Sequence, residues 1–236
     1  MPRLDDRRND ELRPLSLERG ANPYAEGSCL IRAGGTLVHC TASVEDRAPP
    51  WKKGTGEGWV TAEYAMLPRA TSERTNRERR GAGGRTQEIQ RLIGRSLRAA
   101  MRTLAFGEFT IRIDCDVLQA DGGTRTASIT GGCVALADAC SWLATEANIE
   151  NPFGQLVAAV SVGVVDGEVM LDLAYAEDKD ADVDANIVMV HPDRFVEVQG
   201  TGEAGTFARS EFTSILDLAE LGIHQLFAEQ ERVLAT

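Results

Sequence analysis

A glycine-rich turn that precedes an arginine is the strongest local signal for chemistry in the sequence. Gly122-Gly123-Thr124-Arg125 stands between a segment of alternating apolar residues and a long run of small and apolar residues. Glycines let backbone N–H groups approach an anion, and the positive end of a following helix faces the same anion. We therefore expect an anion site in which Thr124 caps the helix and Arg125 adds charge. The spacing fits an ordinary tight connection with a solvated arginine equally well.

A second glycine-preceded helix start stands earlier in the chain. Gly83-Gly84-Arg85-Thr86 opens a segment of helical periodicity, and Arg85 falls at its positive end. Taken alone, this pattern describes a helix start with a surface arginine. Two such sites in one chain are more informative, because a reaction that joins two phosphates needs cations to suppress their mutual repulsion.

A dense acidic run follows in the second half of the chain. Its acids, packed into eight positions around Lys179, are Glu177, Asp178, Asp180, Asp182 and Asp184. In an extended segment the four aspartates would share one face, where only a cation or a protonated acid relieves their repulsion. Such carboxylates suit Mg²⁺ or Mn²⁺, and a carboxyl of raised pKa suits a general acid. The alternative is a solvated loop, the commonest fate of a charge cluster.

The histidines and cysteines argue against other chemistries. His39, His191 and His224 are widely spaced and form no ligand-like pair, so a histidine metal site or a Ser-His-Asp relay has little support. The five cysteines form an odd set without C-x-x-C spacing, which argues against a disulfide framework and a zinc ribbon. The charged N-terminus and the lack of about 18 consecutive apolar residues predict no signal peptide or membrane span. We expect a cytoplasmic protein.

The distribution of charge favours a nucleic-acid partner, although the net charge of −11 argues against one at first sight. Between Arg69 and Arg102, ten arginines stand against three glutamates, a local net charge of +7. The planar guanidinium holds phosphate through two parallel hydrogen bonds. A basic loop is predicted over 68–84, and its candidate RNA contacts are Arg69, Arg74, Arg77, Arg79 and Arg80.

Hydrophobic periodicity predicts the elements that must position these residues. Strands are expected at 29–33, 37–44, 59–66, 109–117, 156–164, 168–173, 186–190 and 195–198, and helices from 86 to 104, after 124 and over 210–228. Turns at 34–35 and 166–167 join two hairpins. The strands and helices come in two β-β-…-α groups. We expect an α+β fold built as one domain over 1–236, with lobes at about 10–145 and 155–228.

The motifs together resemble the bacterial ribonuclease PH family. The run from Asp114 to Gly131, DCDVLQADGGTRTASITG, closely resembles that family's signature. Further motifs stand in the family's order: GWVTAEY with MLPR (58–69), GRTQEIQR (84–91), Glu177-Asp178 with Ala181-Asp182, and VQGT (198–201). The resemblance covers nearly the whole chain.

This resemblance implies a phosphorolytic exoribonuclease with the ribonuclease PH-like fold. The phosphate nucleophile would be held by Arg85 and by Gly123, Thr124 and Arg125. Asp178 and Asp184 would serve in catalysis and in binding a divalent metal, Mg²⁺ by expectation. The chain departs from the family pattern at Ala174, Val183 and Ala185, near the acidic site.

The resemblance also implies a substrate and an assembly. RNA would be shortened from its 3′ end by reversible release of nucleoside diphosphates, chiefly at tRNA 3′ ends, on a hexameric ring built as a trimer of dimers. Two alternatives remain open. A catalytically silent RNA-binding ring subunit would lack the phosphate or acidic residues, and a metal-dependent hydrolytic nuclease would leave both anion sites unexplained.

Overall fold

The computed structural model describes residues 3, 6–78 and 81–235. These residues form two β-sheets with helices packed against them. The strands are β1 (Leu15–Arg19), β2 (Gly27–Ala33), β3 (Thr36–Glu45), β4 (Trp59–Met66), β5 (Thr110–Gln119), β6 (Val157–Val165), β7 (Glu168–Leu171), β8 (Val183–Val190) and β9 (Arg194–Gly202). The α-helices are α1 (Gly84–Ala99), α2 (Thr124–Glu146), α3 (Tyr175–Asp178) and α4 (Arg209–Leu234).

The first sheet has the strand order β1-β2-β3-β5-β4. Its strands pair antiparallel except β4, which runs parallel to β5, with α1 in the connection between them. On β5, Ile111, Ile113, Cys115 and Val117 are buried, and the residues between them are partly exposed. The period-two pattern of this strand and the β2–β3 hairpin are therefore confirmed.

The second sheet has the order β7-β6-β8-β9, with every pair antiparallel. The β6–β7 hairpin turns at Asp166 and Gly167, which have φ angles of 50° and 78°. Paired positive φ values match the right-handed twist of the flanking strands. The predicted hairpin is confirmed, whereas β8 and β9 start earlier or run longer than the apolar pattern indicated.

Helix α2 forms the centre of the molecule and packs against β2 and β3 of the first sheet and β6 of the second. It is long and apolar enough to cross a membrane, but 78% of its most apolar window is buried inside the protein. This burial on both sides identifies α2 as a core helix. Most buried side chains of the two sheets and of α1, α2 and α4 join into one large hydrophobic cluster, and Met170 of β7 packs with Leu173 and Ala181 in a second, small one. The α+β fold of β-β-α-type units is confirmed.

Candidate active site

One cleft of about 910 Å³ receives residues from both halves of the chain. The β4–α1 loop, the β5–α2 turn, α3 and β8 all contribute to its wall. The cleft brings together all of the candidate phosphate-binding and catalytic residues, Arg85, Gly123, Thr124, Arg125, Asp178 and Asp184. The three motifs that stood apart in the sequence therefore share one site.

The β5–α2 turn depends on glycine at two successive positions. Gly122 and Gly123 have φ angles of 73° and 62°, in the left-handed region that side chains disfavour. A Cβ on Gly122 would lie 2.5 Å from the carbonyl oxygen of Leu173. This close approach brings the turn against the segment that leads into α3. Glycine is therefore required both for the backbone conformation and for closeness to the acids.

The predicted capping role of Thr124 is wrong, because Gly123 is the N-cap of α2 and no side chain caps the helix. Thr124 is the first helical residue, and its hydroxyl lies 2.8 Å from the hydroxyl of Tyr64 on β4. The N–H groups of a first helical turn have no intrahelical acceptor and are available to an anion. Burial raises the pKa of Tyr64 and keeps its hydroxyl neutral for this contact.

Two guanidinium groups face the cleft with few bonds to restrain them. Arg125 donates from Nη1 to Glu88 Oε1 at 3.3 Å and to Gln199 Oε1 at 3.4 Å, both long for charge-assisted bonds. Arg85, exposed in the first turn of α1, makes no hydrogen bond or ion pair with the rest of the described chain. Both arginines can therefore turn toward an anion at little cost.

The expectation that four aspartates share one extended face is wrong. Residues Tyr175–Asp178 form a helical turn, α3, and β8 begins at Val183. Asp178 and Asp184 line the cleft, whereas Asp180 and Asp182 are exposed outside it. The helical turn breaks the two-residue alternation, because side chains on a helix repeat every 3.6 residues.

Glu177 belongs to a different environment from its neighbour Asp178. It is 7% exposed, accepts a hydrogen bond from the backbone N–H of Ala174 at 2.9 Å, and pairs with Arg3. Arg3 and this backbone bond hold the pKa of Glu177 below its usual range despite burial. Glu177 therefore stabilises the α3 turn through contacts outside the cleft, while Asp178 faces the cleft.

The two cleft acids have raised pKa values. Burial raises the pKa of Asp178, and the nearby Arg125 and Arg85 oppose that shift. Burial also raises the pKa of Asp184, the charge of Asp178 adds to the shift, and Arg125 opposes it. A carboxyl of raised pKa can donate a proton nearer to neutral pH than an ordinary one.

The donor set also fits a divalent metal of the magnesium type. Mg²⁺ binds proteins through one or two carboxylates and keeps water and substrate phosphate as its other ligands. Asp178 and Asp184 offer two such carboxylates beside the phosphate-binding arginines. Among the described residues, no group of three or more His, Cys, Asp or Glu side chains forms a metal cluster.

The basic loop borders the cleft. Thr71, Ser72 and Thr75 line it, and Arg69, Arg74 and Arg77 are exposed nearby in sequence. Arg79 and Arg80, also predicted to contact RNA, lie outside the described residues. The histidines, all of them in the described part of the chain, lie away from this cleft, and two of them, His191 and His224, contact the ring of Phe227.

Several residues that support the site were not predicted to do so from the sequence, although three of them stand in the motifs quoted above. Tyr64, Glu88 and Gln199 contact the phosphate turn, and each comes from a different element. The alternation of β4 places Tyr64 on the buried face but does not indicate its partner. Arg3 and Arg13 belong to none of the motifs in the sequence, where they are simply two of the charged residues near the N-terminus. Their partners lie more than 150 residues away, at Glu177 and Asp172.

Comparison with known proteins places this geometry in a family. The model of the 3′ exoribonuclease family, domain 1, matches residues 11–141, and that of domain 2 matches residues 155–221. Ribonuclease PH of Methylobacterium radiotolerans is 56% identical over 99% of this chain and 100% of its own length. Ribonuclease PH of Mycobacterium sp. (strain KMS) is 56% identical over 98% of this chain and 91% of its own.

Solved structures show the same fold at lower identity. Rice (Oryza sativa) Rrp46 matches with a TM-score of 0.80 and 20% identity, covering 99% of this chain and 100% of that one. A chain of the Archaeoglobus fulgidus exosome with RNA bound to the active site also has a TM-score of 0.80 at 20% identity, covering 97% and 92%. With family models over most of its length and relatives at 56% identity, the chain belongs to the 3′ exoribonuclease family, among the bacterial ribonuclease PH enzymes.

Proposed function

We propose that this phosphate-dependent 3′-to-5′ exoribonuclease holds its phosphate between Arg85 and the Gly123-Thr124-Arg125 turn and acts on RNA with Asp178 and Asp184. One observation carries the proposal: two anion-binding motifs and two acids with raised pKa values line a single cleft. A hydrolase has to bind only the phosphate that it cleaves, whereas a phosphorolytic enzyme must also bind the phosphate that attacks.

The reaction transfers the terminal nucleotide from RNA to inorganic phosphate. A phosphate oxygen attacks the last phosphodiester phosphorus, a new P–O–P bond forms, and the bond to the 3′ oxygen of the preceding nucleotide breaks. Arg85, Arg125 and the N–H groups of the first turn of α2 offset the negative charge that accumulates. Asp178 or Asp184, whose raised pKa favours the protonated form, is the candidate to give a proton to the departing 3′ oxygen. The products are a nucleoside diphosphate and an RNA one nucleotide shorter, and the reaction is reversible.

Asp178 and Asp184 would hold a divalent metal, for which we propose Mg²⁺. When bound, the metal supplies positive charge to the phosphate oxygens and acidity to its water ligands. The arginines keep their role of orienting the two phosphate groups. The same two carboxylates would serve in either role, as metal ligands or as proton donors.

We propose tRNA 3′ ends as the principal substrate, and a hexameric ring, a trimer of dimers, in the cytoplasm as the working form. The exposed arginines of the 68–84 loop, which borders the cleft, support contact with a structured RNA stem. The match to an archaeal exosome core, at a TM-score of 0.78, supports a fold that can form rings.

Product analysis tests the proposed function. Purified protein is incubated with a 3′-labelled oligoribonucleotide with and without inorganic phosphate, and the released nucleotides are separated by chromatography. We expect nucleoside diphosphates whose yield saturates with phosphate, and near-background release without it. Monophosphates released at an undiminished rate without phosphate would support hydrolysis instead, and RNA binding without release would indicate a silent ring subunit.

Substitution of one acid tests the residue assignment. Asp184→Asn should lower kcat by roughly 10²-fold or more and leave RNA affinity nearly unchanged, because only the transition state uses the proton or metal. The matched control is Asp182→Asn, which removes a nearby carboxylate that is exposed outside the cleft. Full activity of Asp184→Asn would remove Asp184 from the catalytic step.

A further inference from the structure

The N-terminal segment reaches across the molecule to the back of the acidic turn. The Arg3 side chain is fully buried, and its partner Glu177 is 7% exposed. Arg3 donates from Nε and Nη2 to the two carboxylate oxygens of Glu177, both at 2.7 Å. Its Nη1 donates to the carbonyl of Leu171 at 2.8 Å, and Nη2 also lies 3.2 Å from the carbonyl of Asp172. This guanidinium is therefore engaged on all three nitrogens.

Arg7 and Arg13 extend the same contacts. Arg7 lies 3.6 Å from Glu177 and donates to the carbonyl of Asp172 at 3.2 Å. Arg13 donates from its side chain to both carboxylate oxygens of Asp172, at 2.7 and 3.1 Å, and its backbone N–H donates to the same carboxylate at 2.8 Å. Nη1 of Arg13 also donates to the carbonyl of Asp121. We call Arg3, Arg7 and Arg13 the N-terminal arginines.

The acceptors of these bonds lie directly beside the cleft residues. Asp121 precedes the Gly122–Arg125 turn, and its carboxylate accepts a hydrogen bond from the N–H of Tyr175 at 3.2 Å. Glu177 immediately precedes Asp178 in the α3 turn. Asp172 adopts a φ of 52°, an uncommon conformation for a residue other than glycine, and the bonds from Arg13 hold its side chain in place. The N-terminal arginines thus bond to the turn that binds phosphate and to the turn that carries an acid.

Stability alone is a poor explanation for such a cluster. Buried ion pairs add little net stability, because desolvation of the charges offsets their attraction, whereas a fork of directed bonds fixes geometry closely. Proton donation and metal binding need their groups held to a fraction of an ångström. A helix of one turn, such as α3, cannot hold a carboxylate in place without outside contacts.

We infer that the N-terminal arginines are positioning residues that fix the carboxylate of Asp178 relative to the phosphate-binding turn. This inference rests on the proposed catalytic role of Asp178. Arg3 acts through Glu177, and Arg13 joins the Asp172 carboxylate to the start of the phosphate turn. None of the three lines the part of the cleft where Arg85 and Arg125 bind phosphate. Arg3 bonds to Glu177 and to the carbonyls of Leu171 and Asp172, on the side of the acids, so its loss should affect turnover and not phosphate binding. Arg13 also contacts the phosphate turn, and its loss should affect both.

The test replaces Arg3 with lysine in the full-length protein and measures kcat, the KM for phosphate and the KM for RNA per folded, assembled molecule. Lysine keeps the charge but cannot form the fork to Glu177. We expect kcat to fall roughly tenfold to a hundredfold, with both KM values within about twofold of the original. The matched control is Arg8→Lys, because Arg8 is in the same segment and its side chain is 72% exposed.

A second variant removes both charges of the pair. Arg3→Met with Glu177→Gln removes one charge of each sign, so the net charge of the cluster is unchanged and Asp172 still pairs with Arg7 and Arg13. The glutamine oxygen can still accept the Ala174 N–H bond. The same fall in kcat is expected. A kcat equal to the Arg8→Lys control in either folded variant would overturn the inference, as would a raised phosphate KM at unchanged kcat. Failure of both variants to fold would assign the cluster to stability alone and also overturn it.

Asp178→Asn is measured in parallel to separate the two claims. If this variant keeps full turnover, the proposed role of Asp178 fails, and the inference about its positioning fails with it. If Asp178→Asn loses turnover but the Arg3 variants do not, only the positioning inference fails.

Discussion

Burial and nearby arginines act in opposite directions on the carboxyls of the cleft. Burial favours their neutral forms, whereas Arg85 and Arg125 favour the charged forms, and for both Asp178 and Asp184 burial dominates. A phosphate bound to these arginines would neutralise part of their charge. The arriving nucleophile should therefore raise the acids' pKa values further and promote the protonated form that donates to the leaving oxygen.

The raised pKa of Asp184 gives a pH-dependent effect on stability. Its folded-state pKa is above the ordinary value of 3.8, so the folded state binds the proton more tightly than the unfolded state. The free energy of unfolding therefore falls as pH rises from the ordinary pKa to the raised pKa. At neutral pH the full destabilisation by the buried, charged carboxylate is present. Asp184→Asn, which is always neutral, should unfold at a higher temperature than the original protein at pH 7.

Calorimetry at several pH values checks this prediction. The stability gain of Asp184→Asn should disappear as pH falls below 3.8, where both proteins carry a neutral side chain. The exposed Asp182→Asn variant should show no comparable trend. A gain that does not change with pH would mean that the effect arises from something other than ionisation.

Replacement of Arg125 should appear mainly as a higher requirement for phosphate. Arg125→Ala removes a charged partner of the nucleophile, which should cost about 2–4 kcal/mol of transition-state stabilisation in a partly desolvated site. Arg125→Lys keeps the charge without the planar fork and should show an intermediate loss. Initial rates across a range of phosphate concentrations measure both. Unchanged phosphate dependence in Arg125→Ala would exclude it from the phosphate site.

At the level of single residues, the motifs that joined residue type to local backbone named side chains that the fold brings together, and their roles stay predictions. Arg85, Arg125, Asp178 and Asp184 were all named from such motifs, and all line one cleft. Sequence reasoning failed for Thr124, whose partner Tyr64 is 60 residues distant. The contact between Arg3 and Glu177 spans 174 positions. No local pattern encodes a contact of that separation.

At the level of elements, periodicity predicted the long strands and helices and missed the shortest helix. Strand β5 and helix α1 show clear alternation or amphipathic spacing, because one face of each is buried. The single turn of α3 is too short to show any period, and its acids suggested an extended segment. Capping contacts from Glu177 and Arg3 determine that turn.

The basic loop over 68–84 should discriminate between substrates. Replacing Arg69, Arg74 and Arg77 together with alanine should weaken binding of a structured tRNA more than that of a short oligoribonucleotide, because only the stem reaches beyond the cleft. The salt dependence of tRNA binding should also become shallower as phosphate contacts are lost. Filter binding at several salt concentrations measures both effects.

The control for this prediction replaces the same number of arginines outside the loop. Arg47, Arg194 and Arg232 are exposed, lie outside the cleft and can be replaced together by alanine. This variant should keep the original ratio of tRNA to oligonucleotide affinity. Equal losses on both RNAs in the loop variant would argue against contact with the stem.

At the level of the whole molecule, the net negative charge conceals a basic segment beside the cleft. The protein carries −11 overall, yet Arg85 and Arg125 face the cleft and the exposed arginines of the loop border it. An acidic exterior repels RNA from most of the surface, and the basic segment attracts it to one region. The net charge alone would have argued against a nucleic-acid partner. The local distribution pointed toward it.

The isolated chain should assemble with further copies of itself. Within the described residues, β1 and β4 end the first sheet and β7 and β9 end the second, so each sheet has open edges. Tyr24 and Trp51 are also exposed, at 93% and 68%. We expect a ring-type oligomer by sedimentation at micromolar concentration, and a monomeric mass there would contradict the prediction.

The order in which the cleft's parts occur along the chain matters during synthesis. Arg85 and Arg125 are made first, Asp178 and Asp184 follow, and α4, whose Gln230 donates to the carbonyl of Val157 on β6, comes last. A growing chain therefore contains the phosphate-binding residues before it contains either acid. The cleft can gain its second acid only after β8, which carries Asp184, has been synthesised and has paired within the second sheet.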